Sequence, residues 1–207
     1  MLQKLLQKYT LKQKYFSPSL IYLELPMEIN FKANLINKPN IKKLCPTTNE
    51  FVSHKVSFVE INPRLKDDIK ALKNMSKLWD KDSIFASTIY YYAKKDPRKR
   101  TFLITEQADK FEKLEPEKIL GITQLSKEVA GEHSIEYLET KPELQCCNIK
   151  RNYKKIGSCI LDNLKEVFQN KTLKVDYIFD RVDFYLQNGF YFRDEVLGDL
   201  IWNANKK

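Results

Sequence analysis

The amino-acid sequence predicts a mixed α/β domain. Apolar residues recur with a helical period at positions 156–169, where Ile156, Ile160 and Leu164 share one face and charged residues take the other. Shorter helical patterns occupy residues 65–73 and 82–94. Between these segments, strand-like runs occur at residues 50–61, 101–106, 118–126, 133–140 and 172–178. We expect the strands between residues 101 and 140 to follow one another as a meander, which makes that part of the sheet antiparallel.

Composition predicts one main domain with an N-terminal extension. The chain has 207 residues and is 43% hydrophobic, enough for one sizeable core. We expect an extension over residues 1–50, with a short helix that includes Leu2, Leu5 and Tyr9 followed by a strand-like arm. Residues 51–207 are expected to form the main domain, closed near its end by a hairpin between residues 190–192 and 200–202.

The charge balance favours anionic partners without choosing among them. A net charge of +9 and a pI near 9.2 suit nucleic acid, an acidic membrane surface or a nucleotide cofactor. Residues 94–100 are the densest basic run, which we interpret as a solvated loop, with contact to phosphates as an alternative. No aromatic residues interleave these charges, so a nucleic-acid-binding function ranks second.

Cysteine usage predicts a cytoplasmic protein. The cysteines are Cys45, Cys146, Cys147 and Cys159, with no Cys-x-x-Cys pair, and we expect neither a zinc site nor a disulfide framework. No apolar stretch reaches the length of a membrane span, so no membrane partner is expected.

A basic loop precedes the longest predicted helix. Lys154 and Lys155 stand just before it and Gly157 lies in its first turn. Unpaired N–H groups and the helix dipole make such an N-terminus a binding place for an anion such as a pyrophosphate. The alternative is a basic turn that opens an ordinary core helix.

Two segments together resemble the GNAT superfamily of acetyl-CoA-dependent N-acetyltransferases. That family has the pattern (Gln/Arg)-x-x-Gly-x-(Gly/Ala) at the start of a helix, and later Tyr-x-x-x-Gly-Phe. Residues 152–157 read Asn-Tyr-Lys-Lys-Ile-Gly, so that Asn152 and Lys155 depart from the first pattern. Residues 185–190 read Tyr-Leu-Gln-Asn-Gly-Phe and match the second pattern fully. The resemblance extends from Phe51 to Trp202.

The resemblance implies a fold, a co-substrate and residue roles. It implies a twisted, mostly antiparallel sheet with helices on both faces, and acetyl-CoA as co-substrate. Residues Leu138 and Thr140, in a segment similar to the family's strand before the loop, would pair with the pantetheine arm and hold the thioester. Tyr185 would protonate the departing thiolate. The pyrophosphate would be held by Asn152, Tyr153, Lys154, Lys155, Ile156, Gly157 and Ser158.

Acetyl transfer to an amine also requires a proton acceptor. Glu136 and Glu139 lie on the predicted strand, and because they are three residues apart we expect only one to face the site. His133 and Glu106 are weaker candidates. The predicted helical pair would form one wall of the acceptor site in this family, and its candidate lining residues are Trp79, Phe85, Tyr90 and Tyr91.

The sequence therefore predicts an acyltransferase that moves an acetyl group from acetyl-CoA to a primary amine by direct attack in a ternary complex. A non-catalytic acyl-CoA-binding domain and a basic nucleic-acid-binding protein are the alternatives. The sequence does not identify the amine acceptor. The only nucleic acid that we consider as an acceptor is an aminoacylated tRNA. A homodimer is compatible with the sequence.

Overall fold

A computed structural model describes residues 33–79, 82–83, 85–107, 113–127, 131–144, 151–176, 181–194 and 198–204. All of these belong to one compact unit, residues 31–207. The helix expected near Leu2 and the pair Cys146 and Cys147 lie outside the described residues.

The described chain alternates strands and helices. Its strands are β1 (Asn34–Asn37), β2 (Asn40–Leu44), β3 (Phe51–Lys55), β4 (Ser57–Glu60), β5 (Lys99–Thr105), β6 (Ile119–Lys127), β7 (Glu132–Thr140), β8 (Tyr153–Lys154), β9 (Thr172–Asp176), β10 (Tyr191–Asp194) and β11 (Asp199–Asn203). Its α-helices are α1 (Lys66–Trp79), α2 (Ala86–Lys95), α3 (Ile156–Val167) and α4 (Val182–Gln187). Short 3-10 turns occupy Pro116–Lys118 and Pro142–Leu144.

Eight strands form one sheet in the order β1-β4-β5-β6-β7-β9-β11-β10. Every neighbouring pair is antiparallel except β7 and β9, which are parallel and are connected through α3. The predicted meander is confirmed as β5, β6 and β7, and the predicted closing hairpin as β10 and β11.

Helices cover both faces of this sheet. Side chains alternate along each strand, so Phe102 packs into the core under α3 while Leu103 packs into the core under α1 and α2. Ile160 and Leu164 belong to the first core, and Leu72 and Ile89 to the second. The predicted mixed α/β fold with a mostly antiparallel sheet is therefore confirmed.

Residues 33–56 form strands in two sheets. The strand expected over residues 50–61 is two strands, because the chain passes from β3 to β4 at Val56 and changes sheet. β1 pairs with β4 in the large sheet, whereas β2 lies between β3 and β8 in a small one. The domain division at residue 50 stays a prediction.

The pairing between the two parallel strands β7 and β9 ends well before β7 does. Their pairing runs from Glu132 opposite Thr172 to Ile135 opposite Val175, while β7 continues to Thr140. The start of α3 crosses the sheet at Gly121 of β6. A Cβ at Gly121 would lie 2.7 Å from Ile156 Cγ2, so only glycine lets the helix approach this closely.

Within the described residues, no helix has both the length and the apolar character that crossing a bilayer requires.

Candidate functional site

A cleft of about 1060 Å³ opens where β7 and β9 separate. The outer half of β7, the loop before α3, the first turn of α3 and part of α4 line one half of it. Residues from the region of α2 and the start of β5 line the other half. This volume is at the upper end of the range for small-molecule and cofactor sites.

The first turn of α3 faces this cleft. Ile156, Gly157 and Ser158 line it, and the first backbone N–H groups of a helix have no partner inside the helix. Gly157 also lets α4 pack against this turn, because a Cβ there would lie 3.0 Å from Cζ of Phe184. A side chain at this position would therefore crowd the Phe184 ring.

Lys155 adopts the backbone conformation that glycine favours. Its φ of 66° and ψ of 20° are left-handed, and it occupies the position where the family pattern has its first glycine. Lys155 thus adopts a conformation that a glycine at this position would adopt without strain. It adds an ammonium group at the entrance to the helix.

The loop before α3 is held by the small sheet. Tyr153 and Lys154 form β8 and pair with Lys43 and Lys42 of β2, and the Leu44 N–H donates to the Asn152 carbonyl at 2.8 Å. Tyr153 and Lys154 line the cleft, whereas Asn152 is exposed and is not among the lining residues. Asn152 therefore contributes through its backbone in this structure.

A carboxylate behind the loop fixes Tyr153. The Tyr153 hydroxyl donates to the Glu106 carboxylate, which also accepts from Lys43 Nζ at 2.9 Å and lies 3.4 Å from His54 Nε2. Burial alone would raise the pKa of Glu106, but the hydrogen bonds from Tyr153 and Lys43 outweigh it and lower the pKa. Glu106, a weaker candidate for the base, is thus a structural anchor and is not among the cleft-lining residues.

Leu138 and Thr140 line the cleft along the unpaired stretch of β7. A strand edge that has lost its neighbour presents backbone N–H and C=O groups to whatever lies beside it. The two residues expected to pair with a pantetheine arm therefore stand at a strand edge that is able to pair.

Glu136 and Glu139 both line the cleft. Residues Gln124 and Leu125 of β6 stand opposite Tyr137 and Ile135, so Glu136 is an extra residue in β7 and forms a bulge. We expected only one of the two carboxylates to face the site. That expectation is wrong, because the bulge interrupts the alternation and the cleft lies at the edge of the strand.

The two carboxylates have different surroundings. Glu136 accepts from Lys99 Nζ, in an ion pair whose lysine side chain is only 13% exposed. Glu139 is buried and accepts from the Ser83 hydroxyl at 2.7 Å, while Ser83 Oγ accepts from the Ala86 N–H at 2.9 Å. Ser83 thus links Glu139 to the N-terminus of α2, a contact that no sequence pattern indicated. His133 is buried, stacks on Phe168 at 4.3 Å and is not a lining residue.

Tyr185 lies in the wall of the cleft on α4. Its side chain is buried and is held edge-on between Phe184 at 5.2 Å and Phe190 at 5.5 Å. Burial raises its pKa to about 12, and the nearby Arg181 offsets this only in part. The phenol therefore keeps its proton at neutral pH. Gly189, with φ of 76°, ends α4 as predicted.

Aromatic side chains line the half of the cleft near α2. Phe85 and Tyr137 stack at 5.2 Å in a tilted arrangement, and Tyr92 lies nearby. Of the four aromatic residues expected here, only Phe85 lines the cleft. Trp79 is core, Tyr90 packs against that core, and Tyr91 is 57% exposed. Tyr92 was missed because helical periodicity does not show which aromatic residue of α2 faces a cleft, and Tyr137 was missed because it lies on β7, outside the helical pair.

The basic run at residues 94–100 is only partly a solvated loop. Arg98 forms a fork with Asp96 at 3.0 and 2.9 Å in the turn after α2. Lys99 and Arg100 begin β5, so alternation sends Lys99 to Glu136 and Arg100 to Glu60. The interpretation as a solvated loop is wrong for these strand residues.

Among the described residues, no group of three or more His, Cys, Asp or Glu side chains is arranged to hold a metal ion. Cys45 and Cys159 are free thiols.

No protein-family model and no curated protein matches this chain. Among solved structures, the chain is similar to a protein from Desulfovibrio desulfuricans assigned to the GNAT family of acetyltransferases. The two are 14% identical, the match covers 70% of this chain and 96% of that chain, and the TM-score is 0.47. It is also similar to the N-acetyltransferase PseH of Campylobacter jejuni, at 19% identity over 70% of this chain and 94% of that chain, with a TM-score of 0.41. A third structure is a mutant AtaT toxin bound to the C-terminus of the antitoxin AtaR and acetyl-CoA. It is 13% identical over 72% of this chain and 94% of that chain, with a TM-score of 0.46.

Proposed function

We infer that this protein is an N-acetyltransferase that moves an acetyl group from acetyl-CoA to a primary amine. The observation that carries the proposal is the cleft between the separating strands β7 and β9, with the N-terminus of α3 at one end and the Tyr185 phenol in its wall. The helix N-terminus would serve as the anion site, the edge of β7 would hold the arm and Tyr185 would be the proton donor, and all three line the same cleft.

The half of the cleft near α3 suits the anionic end of CoA. The helix supplies N–H groups from Ile156, Gly157 and Ser158 for the pyrophosphate. The charged side chains that the loop before α3 and the start of α4 contribute to the lining are all basic: Arg151, Lys154, Lys155 and Arg181. Their field raises the local concentration of an anionic ligand and strengthens its binding. Asn152 and Tyr153 shape the loop through β8 and its bond to Leu44.

The edge of β7 would hold the arm and orient the thioester. Backbone groups of Leu138 and Thr140 pair with the pantetheine amides, and an N–H near the bulge stabilises negative charge on the thioester oxygen during attack. Holding both reactants in one cleft supplies much of the rate through orientation.

Two proton transfers complete the reaction. The ammonium of the acceptor loses a proton before its nitrogen attacks, and we assign this proton to Glu136 or Glu139, the two carboxylates of β7 that line the cleft. The carbon–sulfur bond then breaks and Tyr185 gives its proton to the thiolate. A phenol with a pKa of about 12 is protonated at neutral pH and suits this role.

Thermal unfolding with and without acetyl-CoA tests the binding part of this proposal. At ligand concentrations about a hundredfold above Kd, the gain in stability is about 2.7 kcal/mol, which is readily seen as a shift in Tm. An oligonucleotide of equal charge serves as the comparison. Stabilisation by the oligonucleotide alone, falling steeply with salt, would favour the nucleic-acid-binding alternative.

Release of the CoA thiol in the presence of an amine tests catalysis. Tyr185→Phe should lower kcat by roughly a hundredfold with little change in acetyl-CoA binding, since it removes only a proton donor. Tyr191→Phe, on β10 outside the cleft, is the matched control. Unchanged kcat in Tyr185→Phe would remove the tyrosine from the mechanism, and binding without turnover of any amine would favour the non-catalytic acyl-CoA-binding alternative. A cytoplasmic location and a homodimer stay predictions.

A further inference from the structure

A lysine of the protein itself lies inside the cleft near α2. Among the described residues that line the cleft, Lys154 and Lys155 belong to the loop before α3, whereas Lys99 begins β5 at the other end. Arg98 lines the same part of the cleft as Lys99, but a guanidinium group keeps its proton in proteins and is not a nucleophile. Lys99 therefore supplies a primary amine close to the carboxylates of β7 and away from the proposed pyrophosphate site.

Lys99 is paired with a carboxylate that is able to take its proton. Its Nζ donates to the Glu136 carboxylate, and the side chains of the two residues are only 13% and 27% exposed. An ammonium ion has no lone pair, so it must lose a proton before its nitrogen attacks a carbonyl carbon. Transfer of a proton within a mostly buried ion pair replaces two charges by two neutral groups, which burial favours. The amine and a base for it are thus already in contact.

The bulge in β7 brings this ion pair next to the proposed position of the thioester. Glu136 is the extra residue of the bulge, and Leu138 follows it along the strand edge that lines the cleft. The proposed function uses an N–H near this bulge to stabilise charge on the thioester oxygen. The carboxylate that holds Lys99 therefore belongs to the same short stretch of backbone that would hold the reacting carbonyl group.

An aromatic ring lies beside the Lys99 ammonium. Nζ is 5.6 Å from the centre of the Tyr92 ring. Burial raises the pKa of the neighbouring Tyr137, with further contributions from Glu136 and Tyr92, whereas Lys99 lowers it. These groups therefore act on one another as one cluster. A ring face attracts an ammonium ion and also packs well against apolar groups, so this pocket suits Lys99 both as a cation and with a methyl-bearing amide at its end.

We propose that Lys99 is a self-acetylation site, to which the protein transfers an acetyl group from bound acetyl-CoA when no other amine occupies the cleft. This inference rests on the proposed acetyltransferase function. The Lys99 ammonium gives a proton to Glu136, its nitrogen bonds to the acetyl carbon, the carbon–sulfur bond breaks, and the thiolate takes the Tyr185 proton. Glu136 then loses its proton and Tyr185 regains one, so that a proton is released overall. The modification removes the positive charge that pairs with Glu136.

Incubation of the purified protein with acetyl-CoA and no added amine tests this proposal. Cleavage by chymotrypsin after Tyr92 and Phe102 gives one peptide with three lysines, Lys94, Lys95 and Lys99, and its fragmentation in a mass spectrometer locates the acetyl group. Lys94 and Lys95 are exposed on α2 and do not line the cleft, so they are internal controls. We expect Lys99 to react at least roughly a hundredfold faster than either, because its reaction is intramolecular.

Two controls separate transfer within the cleft from chemical acetylation. Acetyl phosphate acetylates lysines directly, and it should modify the exposed Lys94 and Lys95 in preference to Lys99. A preference for Lys99 with this reagent as well would overturn the proposal. With acetyl-CoA, the rate for each protein molecule should not depend on the protein concentration. A rate that rises in proportion to that concentration would mean transfer between molecules and would also overturn it.

Variants test the residue and its base. The intact mass of Lys99→Arg should stay unchanged with acetyl-CoA, whereas Lys95→Arg, the matched control, should gain one acetyl group. Stabilisation of Lys99→Arg by acetyl-CoA shows that its cleft is intact. Glu136→Gln should slow the acetylation of Lys99 by roughly a hundredfold, because the amine loses its proton acceptor. An unchanged rate in Glu136→Gln would overturn the proposed route.

The outcomes separate this inference from the function beneath it. If acetyl-CoA stabilises the protein and an added amine is acetylated while Lys99 stays unmodified, the self-acetylation inference fails and the acetyltransferase function stands. If acetyl-CoA neither binds nor loses its acetyl group to any amine, both fail.

Discussion

The Tyr153 hydroxyl donates a hydrogen bond to Glu106, and through it the loop before α3 is fastened to β5 and β2. Tyr153 belongs to the loop that lines the cleft, whereas Glu106 lies just beyond the end of β5. The pair is separated by 47 residues in sequence. A hydrogen bond between the small sheet and the end of β5 thus helps to hold the proposed phosphate loop in place.

Breaking this pair should loosen the loop more than it unfolds the protein. Tyr153→Phe and Glu106→Gln each remove one hydrogen bond or one partly exposed ion pair, worth about 1 kcal/mol in stability. We expect KM for acetyl-CoA to rise several-fold with a smaller change in kcat. Denaturant unfolding and steady-state kinetics measure the two effects. Equal loss of kcat and no change in KM would show that the pair does not position the loop.

Lys155 offers a test of backbone strain. Its φ of 66° disfavours a residue with a side chain by about 1 kcal/mol, so Lys155→Gly should leave stability unchanged or raise it by up to that amount. Lys155→Val should lose about 1–2 kcal/mol, because a β-branched residue fits this conformation poorly. Denaturant midpoints of the two variants provide the comparison. Equal stability of both would contradict a left-handed residue here.

Asp68 should make the fold more stable in mild acid. Burial raises its pKa to about 6, with a small contribution from Asp67, while the Asn62 N–H at 2.9 Å opposes the shift. Because the folded pKa lies above the unfolded value, this contribution is complete below about pH 4 and is lost as pH rises through about 6. Asp68→Asn should therefore gain about 1–2 kcal/mol at about pH 8, after allowance for partial solvent screening, and nothing at about pH 4.

Asp67→Asn is the paired control for this measurement. Asp67 is exposed in the first turn of α1, where its charge complements the helix dipole, so its loss should cost about 0.5 kcal/mol. Urea unfolding across the pH range distinguishes the two. A constant stability difference between wild type and Asp68→Asn would show that Asp68 is not the titrating group.

The two described thiols should react very differently. Hydrogen bonds from Thr48, and further ones from Thr47, lower the pKa of Cys45 to about 7, whereas burial raises the pKa of Cys159 to about 12. Alkylation of the folded protein by iodoacetamide should label Cys45 with a rate that rises through about pH 7, and should spare Cys159. Peptide mass spectrometry follows both sites.

Variants of Thr48 test the cause of this difference. Thr48→Ala removes the hydroxyl and should shift the alkylation profile of Cys45 towards the ordinary thiol range, about 8.5. Thr48→Ser keeps the hydroxyl and should leave the profile in place. Rapid labelling of Cys159 in the folded state would contradict its burial.

The sequence predicted the regular elements well because each has a local signal. The period of α3, the alternation in β5, β6 and β7, and the closing glycine Gly189 are all properties of short segments. The resemblance to the family pattern pointed to Gly157 and Tyr185, and both line the cleft. The local sequence of one segment is enough to determine features of this kind.

The missed features are contacts between distant segments or backbone irregularities. The hydrogen bond from Ser83 to Glu139 joins residues that are 56 positions apart, and no local sequence pattern predicts such a contact. The bulge at Glu136 depends on the register of two strands, which single-strand alternation does not contain. The direction of the Lys99 side chain could not be predicted without knowing that β5 begins at this residue. Sequence patterns thus indicated the elements and the lining of the cleft near α3, while its lining near α2 depended on tertiary packing.

The early end of pairing between β7 and β9 at Ile135 has an energetic consequence. A ligand that lies along the edge of β7 does not have to break hydrogen bonds between paired strands. Because this part of β7 is already unpaired with β9, the free energy of binding does not include a cost for separating two strands of the protein. We therefore expect little change in the circular dichroism of the protein when a ligand binds along this edge. The affinity should depend mainly on the dissociation rate of the ligand.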